Sequence, residues 1–264
     1  DMDEIQNKIL GSWMGLAIGD AMGVAVKGMK PTAVTQYFKV MDGYKDVRLF
    51  IGKGVKQYRM KGLYGVQTQM ALLTCDTLLR HKRIDINALI TSLLEFEKSG
   101  PEFYFGIFRN PDTRLRKTIK SFADGFTPFE IRPGKTTGTF LILSVPVALY
   151  YRDRENLIIK NHLKLGQGLH CHILEIAGMA VLDQVIRRFL QSTPKLSLES
   201  DSERIGIILL EVVQLVRKAE EELKQALFSA NSIRSEVFSR ALGEIFLWVE
   251  EQHAKGIKLN DLLV

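Results

Sequence analysis

Apolar residues return every three to four positions along most of this chain. Ile5, Ile9, Leu10, Trp13 and Ala17 fall on one helical face, and Ile86, Leu89, Ile90, Leu93 and Leu94 on another, behind an Asp85 suited to cap it. Ile205, Leu209, Val212, Val213, Val216, Leu223 and Leu227 continue the pattern as a long stripe. Val237, Phe238, Ala241, Leu242, Ile245 and Val249 form another after Ser235. The two-residue alternation of a half-buried strand is hard to find. Six prolines, Pro31, Pro101, Pro111, Pro128, Pro133 and Pro194, separate the periodic stretches, while Pro146 lies inside one and is expected to kink its helix. The pattern predicts an all-α globule with long polar connections.

With 264 residues, 46% of them hydrophobic, the chain has enough apolar material for a sizeable core, and residues 1–264 are expected to form a single domain. The longest polar stretch, 191–202, has the length of a surface loop and marks a change of helices. No stretch approaches the roughly 20 uninterrupted apolar residues of a membrane helix, and the acidic start, Asp1-Met2-Asp3-Glu4, is unlike a secretion signal. No membrane partner is therefore expected. Cys75 and Cys171 lack the spacing partners of a zinc knuckle or a redox pair, which points to reduced thiols and a cytoplasmic location.

Two segments carry candidate chemistry. Residues 11–23 read GSWMGLAIGDAMG and lead through Val24, Ala25 and Val26 to Lys27; residues 62–73 read GLYGVQTQMALL. Both resemble motifs of the ADP-ribosylglycohydrolase family, whose members remove ADP-ribose from modified side chains using magnesium. The resemblance runs over residues 5–190, with weaker correspondences at 134–146 and 169–172. It implies an orthogonal multi-helix bundle with a pocket between the Gly19-Asp20-Ala21 segment, the helix of Thr68 and the histidine segment. Gly19, Asp20, Lys27, Gln67, Thr68, Thr137, Gly138 and His170 are the ligand-binding positions it implies.

The departures from the family pattern bear on the chemistry. Lys27 stands where the family has a metal-binding or water-activating glutamate, and an ammonium offers donors but no acceptor lone pair. Gly65, Val66 and Gln67 stand where a threonine and two aspartates are expected, and magnesium prefers anionic oxygens. Leu143 takes an arginine position, and the late Gly-Gly-Asp-Thr-Asp-Thr run is missing, so the family's last helices are either lost or outside this chain. The resemblance thus implies a catalytically inactive relative with no metal cofactor, binding ADP-ribose, a related nucleotide or a protein partner. Two alternatives are a divergent glycohydrolase with Asp20 as its acid, and a helical interaction scaffold whose pocket is filled by Val66, Phe140 and Leu143.

Each candidate also has a plainer reading. Asp20 is expected to brace a helix end through backbone N–H groups, with ligand contact as the alternative. Gly15, Gly19 and Gly23 suit close helix packing better than a phosphate cradle, since no strand precedes them. His170, Cys171 and His172 are adjacent and point in different directions, so a rim or cap role for His170 is favoured over a metal site. The net charge is +6, and Arg48, Lys53, Lys56, Arg59 and Lys61 are not offset by any acid between 47 and 75. A solvated loop, a phosphate-binding surface and nucleic acid are the three readings, the last weakened because Tyr58 and Tyr64 form no stacking series.

Overall fold

Every regular element among the described residues of the computed structural model is helical. Those residues are 3–46, 60–98, 108–109, 111–128 and 138–191. The stripes at 205–227 and 237–249, the basic residues Arg48 through Arg59, and Thr137 lie outside them. The chain forms two compact units, Asp1–Arg132 and Pro133–Val264.

Among the described residues of the first unit the helices are α1 (Glu4–Val26), α2 (Pro31–Phe38), α3 (Val66–His81), α4 (Ile86–Lys98) and α5 (Thr113–Ala123). α3 packs on both α1 and α4, and α4 packs on α5. The core is the apolar face that sequence periodicity marks out: Ile86, Leu89, Ile90 and Leu93 of α4 are buried with Met70 and Leu78 of α3 and Leu115 and Ile119 of α5. Leu94, placed on the same face, is half-buried.

Caps explain where these helices begin. Asp112 accepts a bond from Leu115 N at 2.8 Å to start α5. Asp85 accepts one from Ala88 N at 3.0 Å to start α4, as its position suggests. That bond, more than the neighbouring Arg83, holds the Asp85 carboxyl below its ordinary value against the opposing pull of burial. A depressed carboxylate stabilises the fold above its unfolded value, near 4, and the contribution fades as pH falls through the lower folded value. Asp85→Ala is therefore expected to cost about 1 kcal/mol at pH 7 by urea melts, with the gap to wild type closing below about pH 4.

α1 departs from the expected face. Its buried residues are Ala21, Val24 and Ala25, at the end that meets α3. Leu10 is 49% exposed, and Ile5, Ile9, Trp13 and Ala17 are only half-buried. The glycine stripe is not a packing seam among the described residues, because a Cβ at Gly15, Gly19 or Gly23 meets nothing within 4 Å. α1 is also apolar and long enough, by length and composition, to cross a membrane, although Asp20 interrupts it.

The second unit holds α6 (Ser144–Tyr150), α7 (Ile158–Gly168) and α8 (Ile173–Gln191), with short 3-10 turns at Leu141–Leu143 and Glu155–Leu157. α8 packs against both α6 and α7. At the α7 crossing a Cβ on Gly166 would overlap Ile176, so glycine is required by close approach. Pro146 does not kink α6 from inside: the helix starts at Ser144, which puts Pro146 in the first turn, where an N–H has no partner within the helix to lose.

Candidate functional site

The N-terminus of α3 is capped from a distance. Its N-cap residue is Gly65, which has no side chain to accept the orphan N–H groups. Asp20, on α1, supplies the acceptor instead. Its Oδ2 takes bonds from Gly65 N at 2.9 Å, Thr68 N at 3.0 Å and Thr68 Oγ1 at 2.8 Å. A carboxylate here also faces the positive end of the α3 dipole. The bracing reading of Asp20 is borne out, and Thr68, a second candidate, is its partner.

The same peptide unit is held from its other side. Arg109 donates through Nη1 to the Tyr64 carbonyl at 3.2 Å, and its guanidinium lies 4.6 Å from the centre of the Tyr64 ring. Its backbone N–H donates to Gln69 Oε1 at 2.7 Å. The Tyr64–Gly65 peptide is trans, so its N–H and C=O point in opposite directions. Asp20 thus grips one side of this peptide and Arg109 the other. Arg109 was missed in the sequence because it lies 40 residues from Gln69 and 45 from Tyr64, in no motif.

Gly65 is fixed by contact. A Cβ there would come within 2.5 Å of Val24 Cγ2 and 3.1 Å of Asp20 Oδ1, while its backbone is extended and open to any residue. Val24 is buried and β-branched, so it yields little. Gly65→Ala is expected to cost about 1–3 kcal/mol in a urea melt. Val24→Ala should relieve most of that cost in the double variant, and additive losses would contradict the contact.

The remaining candidates of this unit surround that joint. Val66 is buried at the first position of α3, and Gln67 is half-buried beside it. Asp20, Val24 and Lys27 follow the i, i+4, i+7 spacing of one helical face, so the face that meets Gly65 continues to Lys27. Lys27 is exposed at the C-cap of α1. Gly19 is exposed. Lys61, the described member of the basic run, is also exposed.

In the second unit, Gly138 has φ +70, the left-handed region that favours glycine, and begins the turn into Leu141–Leu143. Glu175 of α8, itself buried, accepts from Phe140 N at 2.9 Å and so anchors this turn. Phe140 and Leu143 are fully buried.

His170 is not at a rim. It is 2% exposed, with φ +57, and follows α7. His170 N donates to the Gln167 carbonyl at 3.2 Å and Cys171 N to the Gly166 carbonyl at 2.7 Å. Those two bonds are a Schellman ending, with His170 where glycine is usual. The start of the next helix falls to His172, whose carbonyl accepts from Glu175 N and Ile176 N. Cys171 is buried and in no disulfide, as its reading as a small hydrophobe requires; Cys75 is in none either, with burial, then Asp76, pushing its thiol up.

A polar cluster lies deeper in the same unit. Asp183 Oδ2 pairs with His162 Nε2 of α7 at 2.8 Å, and its Oδ1 accepts from Arg187 Nε one turn further along α8. Arg187 also donates to the carbonyl of Tyr151, the C-cap residue of α6. Arg187 is 1% exposed, and His162 and Asp183 are 0% exposed. The cluster ties three helix segments together. The i,i+4 spacing of Asp183 and Arg187 is present in the sequence, but nothing there marks His162 or the Tyr151 carbonyl as their partners.

The model of one protein family, ADP-ribosylglycohydrolase, matches residues 1–259. This chain belongs to the ADP-ribosylglycohydrolase family. The match spans both compact units, and the all-α architecture of this family member agrees with it. No curated protein matches the chain. Within the ADP-ribosylglycohydrolase domain, the joint of Asp20 with Gly65 and Thr68 lies where the two most specific sequence motifs meet.

Proposed function

We propose that this ADP-ribosylglycohydrolase-like chain, taken as one domain over 1–264, is a catalytically inactive member that binds ADP-ribose or a related nucleotide without a metal. The observation that carries the reading is the state of Asp20. It is the acid that the two motifs retain, and one of its oxygens already accepts three hydrogen bonds that hold α3 in place. Magnesium would need further anionic oxygens beside it. The positions that the family resemblance assigns to them carry a buried aliphatic side chain at Val66, a neutral amide at Gln67 and a cation at Lys27. These residues do not fit the metal.

Cleavage of a glycosidic bond to ADP-ribose needs an activated water and stabilisation of an oxocarbenium-like transition state. Without carboxylates or a metal to supply both, the rate falls on the order of a thousandfold or more. Incubated with ADP-ribosylated arginine and serine peptides and magnesium, the protein should release ADP-ribose no faster than buffer does. Magnesium-dependent release would overturn the reading and favour the divergent enzyme with Asp20 as its acid.

A scaffold for a protein partner is the second reading. Its support is that Val66 in the first unit, and Phe140 and Leu143 in the second, are each buried apolar side chains that offer a nucleotide no polar contact. It predicts no affinity for ADP-ribose under any metal condition.

A further inference from the structure

We propose that the exposed apolar row of α1 is an interface on which a second copy of this chain docks, with the two helices antiparallel. Leu10, Met14 and Ile18, one turn apart, are 49%, 53% and 39% exposed. Beside them run Gly11, Gly15 and Gly19, also exposed, where an added Cβ would meet nothing within 4 Å. From Ile9 to Gly19 the helix carries no charge, and the hydroxyl of Ser12 turns back to the Lys8 carbonyl at 2.9 Å. The buried residues of α1, Ala21, Val24 and Ala25, lie nearer its other end, where it meets α3. A contiguous exposed apolar row of this kind marks a protein or lipid contact.

Charge and shape select a second copy over lipid. Asp3 and Glu4 are exposed at the start of α1, Glu4 also pairing with Lys8 at 2.9 Å, and Lys27 and Lys30 are exposed beyond its end. An antiparallel copy sets the acids of one α1 towards the lysines of the other and opposes the two helix dipoles, whereas a parallel copy sets acids beside acids. The same direction fits ridge to groove. About a two-fold axis between Met14 and Gly15, Leu10 faces Gly19 of the other copy, Met14 faces Gly15 and Ile18 faces Gly11, so each copy supplies both the ridge and the groove. Glycine there lets the two backbones approach closely. A bilayer suits α1 less well, because Asp3 and Glu4 repel an anionic surface and Asp20 ties α1 to the start of α3 through three hydrogen bonds.

The test is sedimentation velocity of the whole chain over about 1 to 100 µM, where mass action between monomer and dimer shows directly. A single helix pair lies at the small end of specific interfaces, below about 1,200 Å² in total, so wild type should pass from monomer to dimer within that range. Met14→Lys, at an exposed position, should leave the urea melt unchanged and raise the dissociation constant about 10-fold or more, because it brings two ammonium groups together at the axis. Leu10→Lys should weaken the dimer likewise, and decides the matter if Met14→Lys does not fold. In a Cys75→Ser background, with Cys171 buried, oxidised Met14→Cys should form a disulfide-linked dimer and Leu10→Cys should not. Antiparallel copies set position 14 near the axis but hold the two copies of position 10 about 13 Å apart along it, beyond the reach of a disulfide. A wild type that stays monomeric throughout, a dimer that survives both lysine variants, or equal cross-linking of Met14→Cys and Leu10→Cys would each overturn the proposal. So would a monomer that instead floats with vesicles of phosphatidylcholine and phosphatidylserine.

Discussion

Asp183→Ala is expected to destabilise the second unit by about 3–5 kcal/mol, a large share of the stability of any domain. The cost comes from what is left behind. Arg187 and His162 both turn to this carboxylate, and all three side chains are withdrawn from water. Removing the acid strands a buried guanidinium on α8 and frees the imidazole of α7 from its partner. It also loosens the hold of Arg187 on the Tyr151 carbonyl, which closes α6. Asp183→Asn keeps the shape but not the charge and should fall between. Replacing Asp183 and Arg187 together with leucine and methionine should recover much of the loss, since an ion pair exchanged for packed apolar groups is often neutral. Urea melts read all three. A loss below about 1 kcal/mol in Asp183→Ala would show that the cluster is not the tie described here.

Asp20→Ala should cost about 2–4 kcal/mol, for a related reason at another joint. One carboxylate oxygen satisfies two backbone N–H groups and a hydroxyl of α3, and hydrogen bonds to a charged group contribute more than neutral ones. Gly65 provides no replacement from its own side chain. The loss should therefore exceed that of an ordinary N-cap, about 1 kcal/mol, which is what Asp85→Ala measures in the same unit. Asp20→Asn retains an acceptor and should recover about half. The comparison separates bracing from chemistry: a residue kept only for ligand contact would leave stability unchanged when removed.

Periodicity made the helices legible because burial and helical spacing impose the same pattern on the chain. Ile86, Leu89, Ile90 and Leu93 are one face in the sequence and one buried face in the structure. Asp85 was legible because a cap lies within three residues of its target. Pro146 misled because periodicity ignores where a helix starts, and the 3-10 turn before Ser144 moves it into a first turn. Leu10 and the α1 glycines misled because an apolar helix presents no single face in its sequence, so the side that meets α3 is set by tertiary contact. At the candidate site, Asp20 was readable as a brace, whereas its partners, 45 to 48 residues away, could not be read from spacing and only the family resemblance set the helix of Thr68 beside it. Arg109 and the links of Asp183 to His162 and of Arg187 to Tyr151 were illegible for the same reason: those partners meet only after the helices pack, whereas Asp183 and Arg187 stand four apart on one helix.

The central claim is a nucleotide site that works without a metal, and calorimetric titration of ADP-ribose tests it most directly. The protein is titrated once with magnesium and once with a chelator, at one fixed salt concentration. The account predicts micromolar binding of equal strength in both, weakened by Lys27→Glu at the end of α1. Binding that appears only with magnesium would contradict it, because the metal would then have found ligands that Val66, Gln67 and Lys27 do not offer.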